Sequence, residues 1–499
     1  MSAVAERAPA GAEDSGRTRA IALGFAAIVL AMLPAVLDQT ILATALPTIA
    51  ADLGSVADVS WVATAYVIAA AATTPLWGKL GDRHGRKRLL EVALTLFLAA
   101  SALCGVTQDI AELIGARALQ GAAAGGLMTL AMACVGDLVS PRERGRYQGY
   151  IAAAFAVTTV VGPLVGGALV EGASWRWVFY VNLPVGLIAL AGLRAMLPAA
   201  PASGARARLD LPGAALLAAA TTALMLTCVW GGQRYAWASW QTLALVGATV
   251  AAGVALVAWE RRAADPVVPL HLLRTRVVAV ASTALFLATA ALFAVTVFVP
   301  LFLQATTGAT PTEAGLLLVP AMLGITVATT IAGRSVARTG RYKRFPVAGL
   351  ALMAAGLALL AVVAGDPSRL TTGVGLAVFG LGFGMVGQIL ITAVQNGVER
   401  RELGVATAAT SFFRALGGAI GAAILGAVFA ARVGEGASLA VGPAVQTVFV
   451  AGAALAALAQ GQGDDHPHDR PHGPHRIGRG ARRHDRGARR HGRARRGER

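Results

Sequence analysis

Apolar stretches long enough to cross a bilayer recur along the whole chain, separated by short polar connections. The first runs from Ala20 to about Ala45. Others fall near 59–77, 89–106, 110–136, 147–170, 176–197, 211–231, 240–259, 277–303, 312–332, 345–364, 371–396, 404–430 and 438–459. A hydrocarbon core needs about 20 apolar residues in a helix, and only helices satisfy their backbone groups within one such segment. The pattern therefore predicts an all-α membrane protein with about fourteen spans. The first run is too long for a cleavable signal peptide and reads as a retained helix.

Composition sharpens this. The 499 residues are 56% hydrophobic and 14% charged, well below the roughly 25% charge of soluble domains. Cys104, Cys134 and Cys228 all lie in apolar runs, so no disulfide or metal framework is indicated. A net charge of +17 would suggest nucleic acid in a soluble protein. Here its placement matters more. The tail 460–499 holds twelve Arg against five acids, a surplus of seven. The remainder lies mostly in alternate connections, at Arg142, Arg144 and Arg146; Arg194, Arg206 and Arg208; Arg261, Arg262, Arg274 and Arg276; Arg334 to Arg344; and Arg400 and Arg401. The opposite connections hold only Arg176, Arg234, Arg369 and Arg432. Such asymmetry predicts that both termini are cytoplasmic, and it excludes nucleic acid as the partner.

The most informative connection is Gly78-Lys79-Leu80-Gly81-Asp82-Arg83-His84-Gly85-Arg86-Lys87-Arg88. Its glycines allow a sharp turn, its cations favour the cytoplasmic headgroups, and pairing would keep Asp82 ionised. A mere topology loop explains the Lys and Arg but neither the glycine spacing nor the acid. A fainter copy, Gly333 to Arg341, ends helix 10, with Ala337 where Asp82 stands. Parallel repeats are a transporter feature, and eight helices separate the copies. Helices 7 and 8 then lie between two six-helix halves, flanked by polar linkers at 198–210 and 261–276. The resulting divisions are a cytoplasmic tail (1–20), a first bundle (21–197), a linker with two extra helices (198–276), a second bundle (277–459) and a tail (460–499). With few polar side chains, helices 7 and 8 are expected to be peripheral to any cavity.

Within the spans, Asp38 is the only acid placed deeply. An ionised carboxylate there costs a few kcal/mol unless it faces a cavity or partner. It is either a proton or cation site or a structural acid bonded to a neighbouring helix. Arg117, in Arg117-Ala118-Leu119-Gln120-Gly121 of helix 4, cannot shed its charge and needs carbonyls, a cavity or an acid. Helix 5 carries Thr158-Thr159-Val160-Val161-Gly162-Pro163-Leu164-Val165-Gly166-Gly167, a bendable segment with thin faces. The aromatics of Trp175 to Gly186 suit an outer-interface belt.

These motifs together resemble the major facilitator superfamily. The Gly78–Arg88 stretch resembles its loop between helices 2 and 3, and Arg117 to Gly121 its helix-4 motif, whose Arg is linked to proton coupling. The helix-5 stretch is similar to its antiporter motif, although Thr158 stands where Gly is usual. Trp175 to Gly186, Val299 to Gln304 with Ala314 and Gly315, and Ser411 to Arg414 with Gly417 and Gly418 resemble the fourteen-helix drug:proton antiporter branch. The resemblance covers roughly 20–459. It implies two six-helix bundles plus two extra central helices in the cell membrane. It also implies proton-driven efflux of small, hydrophobic or cationic drug-like molecules by alternating access, by a monomer without cofactor or metal. Asp38, Arg117 and Gln120 would handle protons and substrate. Gly78, Gly81, Asp82, Arg83, Gly85 and Arg86 would form the conformational switch, with Gly162, Pro163, Gly166 and Gly167 the helix-5 motif. Asp82 would meet the start of helix 13 near Leu403 and Gly404.

An uptake transporter of the same fold is the alternative. A membrane-embedded enzyme is disfavoured because no span holds a His or an acid cluster, and a scaffold would not need Asp38 and Arg117. The tail from Gln460, with six of the eight His, has three readings: a metal-binding tract, a disordered basic tail, or out-of-frame translation that clips helix 14.

Overall fold

The computed structural model describes residues 10–464 apart from 54–58, 141–142, 198–209, 233, 264–265, 308–316, 341, 365–367 and 434–440. The expectations for Arg142, Arg206, Arg208, Ala314, Gly315, Arg341 and the tail after Asp464 lie outside the described residues. The long helices are α1 (Ala10–Asp52), α2 (Ser60–His84), α3 (Arg86–Val106), α4 (Ile110–Leu138), α5 (Arg144–Gly172), α6 (Asn182–Met196), α7 (Leu211–Trp230), α8 (Trp240–Glu260), α9 (Arg276–Thr307), α10 (Val319–Thr339), α11 (Arg344–Val363), α12 (Arg369–Gly397), α13 (Leu403–Val433) and α14 (Val441–Asp464). Among the described residues twelve helical segments are long and apolar enough to cross a membrane. The helices α2 and α5 have similar lengths and carry Thr73, Thr74, Lys79 and Gln148.

Three boundaries differ from the sequence reading. Helix α1 starts at Ala10, inside the expected polar tail. Helix α14 continues to Asp464, past the expected boundary at Ala459. The expected hinge at Gly78–Arg88 is almost entirely helical: α2 runs on to His84 and α3 begins at Arg86. Only Gly85, at φ 93°, turns the chain, in a region that side chains rarely adopt. Gly78 and Gly81 serve close approach instead.

Packing explains the faint repeat. In the first half α1 pairs with α5, and α2 and α3 both pair with α4. In the second half α9 pairs with α13, and α10 and α11 both pair with α12. Each pairing recurs eight helices later, as the Gly333–Arg341 copy predicts. The crossings between halves obey the same offset, α2 against α13 and α10 against α5. Small residues let the backbones approach at both crossings. A Cβ on Gly78 would lie 2.7 Å from the Gly404 carbonyl oxygen, and one on Gly145 would lie 2.8 Å from that of Gly333.

The two extra helices do not share one environment. Helix α7 packs on both α2 and α13, with Met225 buried among Ile68, Ala71, Leu416 and Ala419. Only 6% of the apolar window of α8 is buried, against 28% for α7. Peripheral placement thus describes α8, while α7 covers a seam between the halves. Single cysteines at Val246, Val250 or Val254 of α8, modified with a bulky polar thiol reagent, should leave transport unchanged. The same modification at Met225 should slow it. Substrate-protectable labelling along α8 would contradict this assignment.

Candidate functional site

Asp38 and Arg117 meet inside the first bundle. Arg117 donates from a terminal nitrogen to Asp38 Oδ2 at 2.5 Å and to Gln120 Oε1 at 2.5 Å, and its Nε donates to the Val62 carbonyl at 3.0 Å. Both charged side chains are 1% exposed. A buried ion pair persists only where further hydrogen bonds replace the lost water, and those are present. Gln120 Nε2 donates to Asp38 Oδ1 at 2.9 Å and to Ser101 Oγ at 3.1 Å. Asn182 Nδ2 donates to the same two oxygens at 3.2 and 3.0 Å. The Arg117 guanidinium also lies 4.3 Å over the Tyr66 ring, an attraction that strengthens without solvent.

The network therefore ties α1, α3, α4 and the start of α6 together. Two of its members escaped the sequence reading. Asn182 follows the aromatics expected in an outer belt but is itself fully buried. Its signal was an amide at the head of an apolar segment. Ser101, a lone hydroxyl in an apolar helix, was likewise available. Of the neighbouring aromatics, Trp175 is buried and donates to Asp52 Oδ2 at 2.8 Å. That bond and the Arg176 contact at 3.2 Å hold the Asp52 carboxyl below its usual range.

Helix α5 supports this site from one side. A side chain at Gly162 would collide with Thr40, and one at Gly166 with Thr44 and the Ile41 carbonyl. Gly167 has open space beside it and Pro163 is exposed, so these two do not make the close contact expected of the motif. Gly162→Leu should cost about 1–3 kcal/mol through overpacking, whereas Gly167→Leu should be tolerated. Thermal unfolding of the purified protein compares them, and equal losses would refute the α1–α5 assignment.

A second cluster joins the halves. Asp82 accepts from the backbone N–H of Gly404 at 2.9 Å and of Val405 at 2.8 Å, at the start of α13 where a carboxylate complements the helix dipole. Arg86 holds that carboxylate through Nε at 2.9 Å and a terminal nitrogen at 2.6 Å, while its other terminal nitrogen reaches Asp137 at 2.5 Å. Arg83 does not share this task, and one of its buried terminal nitrogens has no hydrogen-bond partner among the described residues. A mutual clamp comes from α5, where Arg144 donates to the Gln395 carbonyl at 2.8 Å and to Asn396 Oδ1 at 2.6 Å. Gln395 returns a bond to the Met132 carbonyl at 3.1 Å. These inter-bundle bonds gather at the end that carries the basic connections.

Nearer the middle, a cavity of about 150 Å³ opens between α5, α10, α12 and α13, lined by Phe155, Thr326, Phe383, Gln388 and Arg414. Another, about 160 Å³ and apolar, lies beside α7 and α8 near Leu217 and Phe412. Asp38 and Arg117 line neither. Among the described residues no group of His, Cys, Asp and Glu could hold a metal ion.

Residues 28–422 match the family model described as Major Facilitator Superfamily. An uncharacterized MFS-type transporter of Mycobacterium tuberculosis is 41% identical over 406 residues, covering 81% of this chain and 59% of the relative. The chain thus spans less than two thirds of that relative's length. The multidrug transporter protein MdtP of Bacillus subtilis is 34% identical over 440 residues, covering 88% of this chain and 81% of that protein. In fold, the chain is similar to the crystal structure of the human organic anion transporter MFSD10, with a TM-score of 0.66 and 17% identity over 89% of this chain and 99% of that one.

Proposed function

Because the chain belongs to the major facilitator superfamily, we propose that it is a proton-coupled exporter of the fourteen-helix drug:proton antiporter branch. It is a transporter rather than an enzyme, and it moves small hydrophobic, drug-like molecules across the cell membrane by alternating access. The observation that carries this reading is the enclosed Asp38–Arg117 pair. A proton on Asp38 removes the charge that holds Arg117, so protonation changes how α1 and α4 bind each other. Arg117 stays charged and falls back on the Val62 carbonyl and Gln120.

The basic connections face the cytoplasm on this reading. The bonds at Asp82 and Arg144 then close the cytoplasmic side and favour an outward-facing state. Relatives named as a multidrug transporter and as an efflux pump support efflux over uptake. Everted vesicles energised with a proton gradient test this directly. Adding a transported hydrophobic compound should release protons from the lumen. Compound movement that carries protons in the same direction would establish the uptake mode instead.

A further inference from the structure

Arg414 is a second arginine deep in the membrane, and the Asp38 network does not include it. It lies eleven positions into α13, about 16 Å along the helix at 1.5 Å per residue, close to mid-bilayer. Among the described residues no hydrogen bond or ion pair joins it. A lasting charge at that depth is costly unless a cavity or counter-charge receives it. Arg117 has its counter-charge in Asp38. Arg414 has a cavity instead, formed jointly by helices of both halves.

The other walls suit a particular ligand. Phe155, Ile325 and Phe383 supply apolar surface, and Gln388 and Thr326 add polar groups. Gln388 Oε1 is buried without a hydrogen-bond partner, so no bond at that oxygen fixes the amide's orientation. Rotation of its end group brings either the oxygen or the N–H₂ donors round. A cavity of about 150 Å³ accommodates one aromatic ring. The guanidinium fork matches a carboxylate in two-pronged fashion.

We propose that Arg414, with Gln388, forms a carboxylate-binding subsite, so that the preferred substrates are small aromatic or apolar monocarboxylates. This inference rests on the transporter reading and narrows its substrate class. The cationic drugs expected from the family resemblance would meet a like charge here, whereas a carboxylate supplies the missing counter-charge. Efflux would then carry the anionic form, and the ester or amide of the same compound would bind poorly.

Calorimetry on the purified full chain with phenylacetate and phenylacetamide separates the possibilities without requiring transport. Wild type should bind the carboxylate at least about tenfold more tightly than the amide, the order expected of a charge-assisted contact. Arg414→Gln should bring the two affinities together, and Arg414→Lys should keep part of the difference. Equal wild-type affinities, or an undiminished preference in Arg414→Gln, would overturn the subsite. Should Arg414→Gln fail to fold, Gln388→Leu and the wild-type ratio decide, and a wild-type ratio near one overturns it equally. Carboxylate-selective binding without proton-driven efflux would keep the subsite and refute the exporter. Efflux of neutral dyes without carboxylate preference would do the reverse.

Discussion

Asp38→Asn is expected to abolish uphill efflux and to lower the thermal stability of the purified protein. Both effects follow from the same geometry. The substitution preserves shape but leaves Arg117 enclosed without a counter-charge, and breaking one side of a buried pair costs about 3–5 kcal/mol. The double variant Asp38→Asn, Arg117→Gln removes both charges and should regain much of that stability. It should not regain transport, because no carboxyl remains to exchange a proton. Melting curves and lumenal pH in everted vesicles give the two readouts, and the cycle isolates the pair's own contribution. Uphill efflux by the Asn variant at the wild-type rate would remove Asp38 from proton coupling. Full recovery of efflux in the double variant would make the pair purely structural.

Asp82→Asn should shift the conformational balance while leaving the fold intact. Two backbone N–H groups of α13 lose a charged acceptor, and hydrogen bonds to charged groups contribute about 1.5–3 kcal/mol. Each 1.4 kcal/mol moves the equilibrium about tenfold. A cysteine placed at Ala152, beside the central cavity, should label faster from the basic end, with lower turnover and unchanged expression. Reduced transport with unchanged labelling on both sides would mean that Asp82 only steadies Arg86. Because Arg86 belongs to the same half as Asp82, the carboxylate keeps a partner when the halves separate. Opening therefore costs the contact to α13 without stranding a charge.

The sequence made the large features readable because the bilayer imposes them. Span length and charge alternation follow from hydrocarbon thickness and the positive-inside bias of the connections. The meeting of Asp82 with Gly404 was also legible, through the loop's resemblance to that of the superfamily and the partial positive charge at a helix start. What hydropathy could not show was direction within a span. It could not tell that Asp38 faces Asn182 and Gln120 rather than a cavity, nor that Asn182 turns inward beside the aromatics. Periodicity cannot separate two burial environments of equal apolarity, which is why α7 and α8 looked alike. The roles of Gly78 and Gly81 were misread for a related reason. Glycine serves turns and close helix crossings equally, and only the neighbour decides.

The strap formed by α7 bears on how a compound dissolved in the lipid would reach the protein's interior. By touching both α2 and α13, α7 shields one of the two junctions between the bundles from the surrounding acyl chains. The opposite junction, between α5 and α10, has no added helix across it among the described residues, and the Arg414 cavity lies beside it. An amphiphile sliding in from a leaflet would arrive at the α5–α10 junction with its polar head near the interface and its apolar body leading. Its route would be a doorway in the wall rather than the mouth of a funnel.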